Sequence, residues 1–361
     1  MRDQFMKITE TSGSCCSCSS TSGGKTCGCA ENSSRPPVIK TTTGMITFSD
    51  RLDHLLARLG WRRSEHRVEP GLYRLGDPDA DSPVFASANY SLSFDALRSQ
   101  LAGIDAWILV LDTKGINVWC AAGKGTFGTD ELVHRIESSD LAGIVSHRTI
   151  IVPQLGAPGV SCQEVARRTK FTVEYGPVRA DDLPEYLKTH TATPAMRRVE
   201  FSLLDRLVLT PVEFMHAALP TLAATAALWF LAGPVASLAA ISAVLAGTVL
   251  FPLLLPVLPT RDFSTKGMIL GMIVSLPFAY VFGTDPNLPV WVGVLSAAAA
   301  FLLITPVISY LALNFTGCTP FTSRTGVKKE IFSYIKVMAG MAALGVISGI
   351  ILGVSRILGV I

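Results

Sequence analysis

The stretch that decides the fold is AWILVLDTKGINVWCAAGKGTFGTDELVHRI, residues 106–136. Its first part, AWILVLD, is a continuous apolar run, which is typical of a strand buried on both faces of a sheet. Its last part continues into a helical pattern, TDELVHRIESSD, which begins at Thr129 or Asp130. Between them lies a glycine-rich loop that contains Cys120. This order of strand, loop and helix predicts one unit of an α/β sheet.

The sequence on either side of this stretch repeats the alternation of strands and helices. The runs PVFASANY, TIIVPQL and FTVEYG have the composition of further strands. Helices are predicted in TGMITFSDRLDHLLARLGW, in FDALRSQLAG with Ser93 as its N-cap, and in CQEVARRT. The alternation favours a Rossmann-like α/β domain with a parallel sheet and ligand-binding loops at the carboxyl ends of its strands.

The composition changes after Pro211, where the chain becomes nearly free of charge. Only 11 Asp, Glu, Lys and Arg residues follow it, and none lies between Ala217 and Thr260. Five stretches are apolar on all sides, which distinguishes membrane spans from core helices. The sequence therefore predicts an all-α bundle of five transmembrane helices. The third stretch, residues 267–282, is short and contains Pro277, so we expect it to be tilted, kinked or only partly spanning.

These changes divide the chain into four predicted segments. Residues 1–44 form a cysteine-rich head that we expect to be disordered, and residues 45–190 form the α/β domain. Residues 191–211 form a linker, and residues 212–361 form the membrane domain. The head contains no apolar segment of the kind found in a signal peptide.

The placement of basic residues predicts the orientation in the membrane. Lys and Arg lie before the first span, between the second and third, and between the fourth and fifth. The positive-inside rule then places the soluble domain in the cytoplasm and the C-terminus outside, in a multi-pass protein of the inner cell membrane. The lipid bilayer is thus one expected partner. The soluble part carries 24 basic and 24 acidic residues, so no nucleic-acid partner is expected.

The eight cysteines of a cytoplasmic chain are expected to be reduced thiols. Five of them lie in the head: Cys15, Cys16, Cys18, Cys27 and Cys29. One interpretation is a dispensable tail, and the other is a trap for soft metal ions, which paired thiolates bind well. Their spacing does not match a zinc finger, so both interpretations stay open.

Cys120 carries the main chemical signal of the soluble part. It precedes a predicted helix and lies close to Lys124, and a helix N-terminus and a nearby cation both stabilise a thiolate in general. The alternative is a small buried core thiol, the common state of a single cysteine. Gly123, Gly125 and Gly128 also form a G-x-G-x-x-G string, typical of nicotinamide sites, but the next strand does not end in the acidic residue that such a site uses.

Several segments resemble a known family. LVLDTKGINVWCAAGKGTF, HRTIIVPQLGAPGVS and VEYGPVRADDLPEYL are similar to the corrinoid-binding domain of the corrinoid iron–sulfur protein of acetyl-CoA synthesis. The string NVWCAAGKG, followed by five apolar helices, resembles the corrinoid protein of the bacterial and archaeal mercury-methylation pair. The resemblance covers most of residues 66–190 and, by layout, the membrane part. The cysteine-rich head departs from the family pattern.

The resemblance implies a corrinoid-dependent methyltransferase that moves a methyl group from cobalt to Hg(II) and forms methylmercury. Cys120 would be the lower axial ligand of a cobalt corrinoid of the cobalamin type, and electron donation from its thiolate would give the methyl group carbanion character. The family uses a small ferredoxin with two [4Fe–4S] clusters as electron donor, so this chain is expected to hold no iron–sulfur cluster of its own. A methyltetrahydrofolate-linked donor would supply the methyl group.

The same resemblance, together with the positions of the loops, gives candidate cofactor contacts. They are Asn89, Thr113, Val118, Trp119, Ala121, Gly123, Lys124, Gln154, Leu155, Gly156, Ala157, Pro158 and Gly176. Asn89 is alternatively a turn residue, and the turn at residues 154–158 is alternatively a simple chain reversal. The head cysteines are candidate ligands for Hg(II).

Other functions remain open at this point. The glycine string is compatible with a nicotinamide-dependent membrane oxidoreductase, and the membrane part with a mercury-binding or transport protein whose soluble domain is regulatory. Cys318, in NFTGCTPFTSRTG, is predicted to lie in a cytoplasmic loop. Its role there is either structural or that of a mercury relay.

Overall fold

The structure, a computed structural model, describes residues 38–62, 65–319 and 322–360. Within these residues, a six-stranded mixed sheet with surrounding helices is followed by a helical region. The cysteines of the head, which were predicted as soft-metal ligands, lie outside the described residues. Residues 40–42, which the sequence placed in the head, form a strand of the sheet.

The strands of the sheet are β1 (Lys40–Thr42), β2 (Gly71–Leu75), β3 (Val84–Ala88), β4 (Ala106–Leu111), β5 (Thr149–Val152) and β6 (Thr172–Tyr175). Their order across the sheet is β1-β2-β4-β3-β5-β6. Strands β3 to β6 are parallel to one another, whereas β1 and β2 run in the opposite direction. The expectation of a wholly parallel sheet was therefore wrong, because β2 pairs antiparallel with β4 and was not recognised in the sequence.

The helices around the sheet are α1 (Phe48–Arg58), α2 (Ser91–Gln100), α3 (Val118–Lys124), α4 (Thr129–Ser138), α5 (Leu141–Ile144), α6 (Cys162–Thr169) and α7 (Leu183–Thr189). The predicted N-cap at Ser93 was wrong, since α2 begins two residues earlier. The backbone N–H of Ser91 donates to the carbonyl of His66 at 3.1 Å, and its hydroxyl donates to Asp53 at 2.6 Å. These bonds hold the start of α2 against α1.

The central strand β4 confirms the prediction from its apolar run, because every residue in it is buried. Ile108 and Val110 point into an apolar cluster that includes side chains of α2 and α7. Leu109 and Leu111 point to the opposite face, into a cluster with side chains of α3, α4 and α6. The sheet is thus covered on both faces. The ends of its strands are where a ligand can bind.

The helical region comprises α8 (Leu203–Leu207), α9 (Thr210–Ala232), α10 (Pro234–Leu245), α11 (Phe251–Leu254), α12 (Phe263–Gly283), α13 (Val290–Phe315) and α14 (Arg324–Ile357). A π-helical turn, Ala246–Leu250, joins α10 to α11. Within the described residues, five helical stretches are long and apolar enough to span a membrane: Leu203–Ala232, Pro234–Leu254, Phe263–Gly283, Val290–Cys318 and Thr325–Ile357.

The third of these stretches is longer than the sequence predicted. Helix α12 runs over 21 residues without a break at Pro277 and begins at Phe263, four residues before the predicted start. The predicted start was placed too late because Lys266 interrupts the apolar pattern. In the structure, the ammonium group of Lys266 donates to the carbonyls of Leu255 and Leu258 beyond the end of α11. Its charge is therefore accommodated within the helical region.

Candidate cofactor site

A cavity of about 450 Å³ lies at the carboxyl ends of β3 and β5. Strands β3 and β5 are neighbours in the sheet. The chain continues from β3 to β4 on one side and from β5 to β6 on the other side, so the switch point of the sheet lies between β3 and β5. In open α/β sheets, this crevice is the usual place for a ligand. The side chains around it are largely apolar and include Phe85 of β3, Leu97 of α2, Ile151 of β5 and Leu183 of α7. The cavity thus suits a ligand with an apolar body.

The segment after α7 and the helical region close the other side of this cavity. Phe201, just before α8, lines it together with Asp205 of α8 and Cys318, which lies in a short 3₁₀ turn after α13. The thiol of Cys318 donates to the carboxylate of Glu213 in α9 at 3.0 Å. Cys318 was expected in a loop, and the structure adds that it lines the cavity at the end of the fourth apolar helical stretch.

Polar contacts tie the linker to the loops after β5 and β6. Arg179, after β6, pairs with Asp205 at 2.5 Å, and Arg197 of the linker donates to the side-chain oxygen of Gln154 at 2.8 Å. The backbone N–H of Val178 donates to the carbonyl of Met196 at 2.8 Å. These bonds hold the wall of the cavity in place.

Cys120 lies on the outer face of α3, beside the cavity. The side chain of Asn117 caps this helix by accepting a hydrogen bond from the backbone N–H of Cys120 at 2.9 Å. Val118 and Ala122 are buried against the sheet, which turns Cys120 outward. The Cys120 side chain is partly exposed and is not in a disulfide.

The residues next to Cys120 divide between the cavity and the surface. Val118 and Trp119 line the cavity, and Cys120 follows them directly in α3. Lys124 is exposed one helical turn after Cys120, so both side chains lie on the same face of α3. Ala121 is buried in the core. The arrangement presents a thiol to a ligand that extends from the cavity over α3.

Asn89 and Thr113 support the loop before α3 by hydrogen bonds and are not part of the cavity wall. Asn89 is 2% exposed, and its side-chain oxygen accepts hydrogen bonds from the backbone N–H groups of Thr113 at 3.0 Å and Gly115 at 2.9 Å. The hydroxyl of Thr113 donates to the same oxygen at 2.8 Å. Both residues were predicted as cofactor contacts, and the structure places them beneath the loop that precedes α3.

The remaining predicted contacts lie on the loops after β5 and β6. Leu155 and Gly176 line the cavity. Gly156 is buried, and a methyl group added to it would lie 2.5 Å from the ring of Phe127, so packing requires the glycine. Ala157 is partly buried, and Pro158 is exposed next to it. The sequence did not single out Asn117 or Arg179, although an asparagine three residues before Cys120 is a recognisable helix start.

The glycine string does not have the position that a dinucleotide site requires. Gly123 lies in α3, Gly125 is the C-cap of α3 with φ of +84°, and Gly128 is the N-cap of α4. A methyl group on Gly128 would lie 2.8 Å from the carbonyl oxygen of Gly125. The string therefore ends one helix and begins the next, whereas the dinucleotide fingerprint joins a strand directly to a helix. Helix capping and close packing account for these glycines.

Comparisons with known proteins concern the α/β part of the chain. Residues 31–187 match the profile of the CO dehydrogenase/acetyl-CoA synthase delta subunit family. The gamma subunit of the acetyl-CoA decarbonylase/synthase complex of Methanopyrus kandleri is 36% identical over 128 residues, which are 35% of this chain and 27% of that protein. Gamma subunit 2 of Methanosarcina mazei is 33% identical over 130 residues, 35% of this chain and 27% of that protein.

The corresponding gamma subunit of Methanocaldococcus jannaschii is 32% identical over 130 residues, 36% of this chain and 26% of that protein. The chain thus spans about a quarter of the length of these curated relatives. The family match ends at residue 187, before α8 and the helical region.

Proposed function

We propose that this chain is a membrane-bound corrinoid protein of methyl transfer, with Cys120 as the protein's ligand to cobalt. The observation that carries the proposal is the partly exposed Cys120, which directly follows Val118 and Trp119, two residues that line an apolar cavity at the switch point of the sheet. The similarity of residues 31–187 to subunits of acetyl-CoA-forming and acetyl-CoA-cleaving complexes supports it.

The residues at this edge fit a corrinoid. A corrinoid would bring most of the ligands of its own cobalt, so the protein would need to add only one donor. No group of three His, Cys, Asp or Glu side chains suited to a metal ion occurs among residues 38–62, 65–319 and 322–360. The partly exposed thiol of Cys120 would be the single donor that a corrinoid needs from the protein. Apolar walls such as Phe85 and Leu183 suit the macrocycle's hydrocarbon edge.

The chain's own residues would position and shield this centre. When bound, the corrinoid would supply the methyl-transfer chemistry, and the Cys120 thiolate would be its electron-donating protein ligand. Asn117 fixes the backbone of Cys120, and Asn89 fixes the loop before it. Lys124 places a positive charge on the face of α3 that carries the thiol. Trp119 and the apolar cavity wall would keep water away from the ligand.

We propose Hg(II) as the methyl acceptor and methylmercury as the product. Hg(II) is a soft electrophile and therefore suits an electron-rich methyl group and thiol ligands. Cys318 lines the cavity and donates its thiol hydrogen to Glu213, so a sulfur ligand would lie where Hg(II) would approach. The resemblance of NVWCAAGKG to the mercury-methylation family supports this choice of acceptor.

The proposed partners and location follow from the same resemblance. A small ferredoxin with two [4Fe–4S] clusters would return electrons after each transfer, and a methyltetrahydrofolate-linked protein would donate the methyl group. The clustering of Lys and Arg before the first span supports a soluble part in the cytoplasm, at the inner membrane, with the C-terminus outside.

A single-turnover experiment tests the proposal. The full chain in detergent is loaded with methylcobalamin and mixed with mercuric chloride, and methylmercury is measured by mass spectrometry. We expect product with the wild type and a loss of at least about a hundredfold with Cys120→Ala, as for the removal of a group that acts in the transition state. Cys162→Ser, at the start of α6, is the matched control and should retain activity. Equal product from Cys120→Ala and the wild type would contradict the proposal.

A further inference from the structure

Helix α1 presents its apolar face to the outside of the molecule. Phe48, Leu52 and Leu55 are spaced four and three residues apart, which places them on one side of the helix. Their exposed fractions are 82%, 47% and 54%. A helix at the surface of a soluble protein normally buries such a face. The face is therefore suited to an apolar surface outside the chain.

The polar side of α1 is the side that packs against the sheet domain. Short hydrogen bonds join Asp50 to Arg98 at 2.7 Å, Asp53 to His66 at 2.6 Å and His54 to Asp95 at 2.7 Å. Arg98, Asp95 and His66 are themselves buried. Rotating the apolar side inward would break these three bonds to buried side chains, and the loss of a buried partner is unfavourable. These bonds therefore fix the orientation of α1 with its apolar side outward.

The end of α1 lies beside the first span. A methyl group on Gly60, two residues beyond the helix, would lie 3.0 Å from the Cγ2 atom of Val212 and 3.7 Å from Nε2 of His216. Val212 and His216 belong to the first turns of α9, directly before the chargeless stretch that begins at Ala217. This is the level at which α9 would enter a bilayer. The C-terminal end of α1 therefore lies at the expected height of the lipid headgroups.

The charges beside the apolar face match a membrane surface. Arg51 and Arg58 are exposed and lie one after the other along the same border of that face. Long basic side chains place their stems on apolar surface and their charged groups at lipid phosphates. Basic amphipathic helices bind the interface of anionic membranes in this way.

We propose that α1 lies in the headgroup region of the bilayer, with Phe48, Leu52 and Leu55 toward the acyl chains. Arg51 and Arg58 bind anionic phospholipid headgroups in this arrangement. The bonds on the polar side of α1 then hold the sheet domain at a defined orientation to the membrane. This inference depends on the membrane spans and is independent of the methyl-transfer proposal.

Photo-cross-linking in nanodiscs tests this contact. The full chain carries a benzophenone amino acid in place of Leu52 and is reconstituted in discs of phosphatidylglycerol and phosphatidylcholine. A second sample carries the same residue in place of Glu137, which is exposed on α4. Because burial of one leucine shifts a partition equilibrium by about tenfold, we expect about ten times more lipid adduct at position 52 than at position 137. The spans hold both samples in the disc, so the difference reports local contact.

Charge reversal tests the headgroup contact separately. Adding Arg51→Glu and Arg58→Glu to the position-52 sample should lower the adduct yield in discs with phosphatidylglycerol but have little effect in discs of phosphatidylcholine alone. Equal adduct at positions 52 and 137 would overturn the proposal. So would adducts at position 52 that join the chain mainly to a second copy or to another protein.

Discussion

Asn89 and Asn117 determine where Cys120 lies. Asn89 accepts hydrogen bonds from both ends of the turn that follows β4, and Asn117 starts α3 by accepting from the backbone N–H of Cys120. Neither bond involves the thiol. The side chain of Cys120 is therefore left available on the outer face of α3. Asn117 holds the backbone of this helix, and Asn89 holds the turn before it.

Replacing Asn89 tests this supporting role. Asn89→Ala leaves buried donors of Thr113 and Gly115 without their acceptor, and each such loss costs about 1–3 kcal/mol. We expect a lower melting temperature for the full chain in detergent and weaker corrinoid retention. Asn287→Ala, in the exposed loop between α12 and α13, is the control and should change stability by less than about 0.5 kcal/mol. Equal stability of the two variants would contradict the role assigned to Asn89.

The candidate contacts stay predictions, but the structure shows where their side chains lie. Trp119, Leu155 and Gly176 line the cavity. Asn89 is buried beneath the loop before α3. Spacing locates a residue at the end of a strand, whereas the direction of its side chain depends on how the next loop folds over it. That information is absent from a single stretch of sequence.

His66 joins α1, α2 and the segment between α1 and β2. Its Nδ1 atom lies 2.6 Å from a carboxylate oxygen of Asp53, and its Nε2 atom lies 2.6 Å from the carbonyl of Trp61. A carboxylate and a carbonyl accept hydrogen bonds, so this arrangement favours the charged imidazole, which can donate from both ring nitrogens. Burial lowers the pKa of His66, but the bonds to Asp53 and Trp61 outweigh burial and raise this pKa above its ordinary value.

The stability of this region should therefore fall as the pH rises. A raised pKa means that the folded state binds the proton more tightly than the unfolded state. The contribution of His66 is complete below its ordinary pKa and is lost as the pH rises through the raised value. We expect the melting temperature of the wild type, relative to His66→Gln, to decrease between about pH 5 and about pH 9. His134→Gln, at an exposed position of α4, should show the wild-type pH dependence.

A constant difference between the wild type and His66→Gln over this range would contradict the charged state of His66. Melting followed by circular dichroism of the full chain gives the comparison directly. Because α1 carries the proposed lipid-facing side chains, the same titration in nanodiscs would also report how firmly α1 is held.

At the level of elements, long or strongly patterned segments were predictable. Strands β3 to β6 and helices α1, α4 and α6 were all expected from apolar runs and helix starts. Strands β1 and β2 were missed because they are short and depend on pairing with distant segments. Helix α3 was taken as a loop because its seven residues include a glycine and depend on the Asn117 cap and on packing against the sheet.

In the whole molecule, the sheet domain and the helical region share one cavity. Trp119 lines it from the sheet domain and Cys318 from the end of the fourth span. The sequence indicated both parts, because hydropathy separates them clearly. It did not indicate the shared wall, since contacts between residues so far apart in the chain leave no local pattern.

Occupation of this cavity should protect Cys318. If the ligand extends from α3 over the cavity, it covers the path by which a reagent reaches that thiol. At near-full occupancy by cobalamin, we expect alkylation of Cys318 by N-ethylmaleimide to slow by about tenfold, as mass action requires. Mass spectrometry of the full chain gives the rates at both cysteines. Cys162, on α6, is the control and should react at an unchanged rate, and equal rates at Cys318 with and without cobalamin would contradict a ligand at this cavity.

X-ray absorption at the cobalt edge tests whether the Cys120 sulfur binds the cobalt of the proposed corrinoid complex. The full chain is purified with bound corrinoid beside Cys120→Ala and Cys162→Ser. We predict sulfur scattering from cobalt in the wild type and in Cys162→Ser, and its loss in Cys120→Ala. A wild-type spectrum with only nitrogen or oxygen around cobalt would contradict the account.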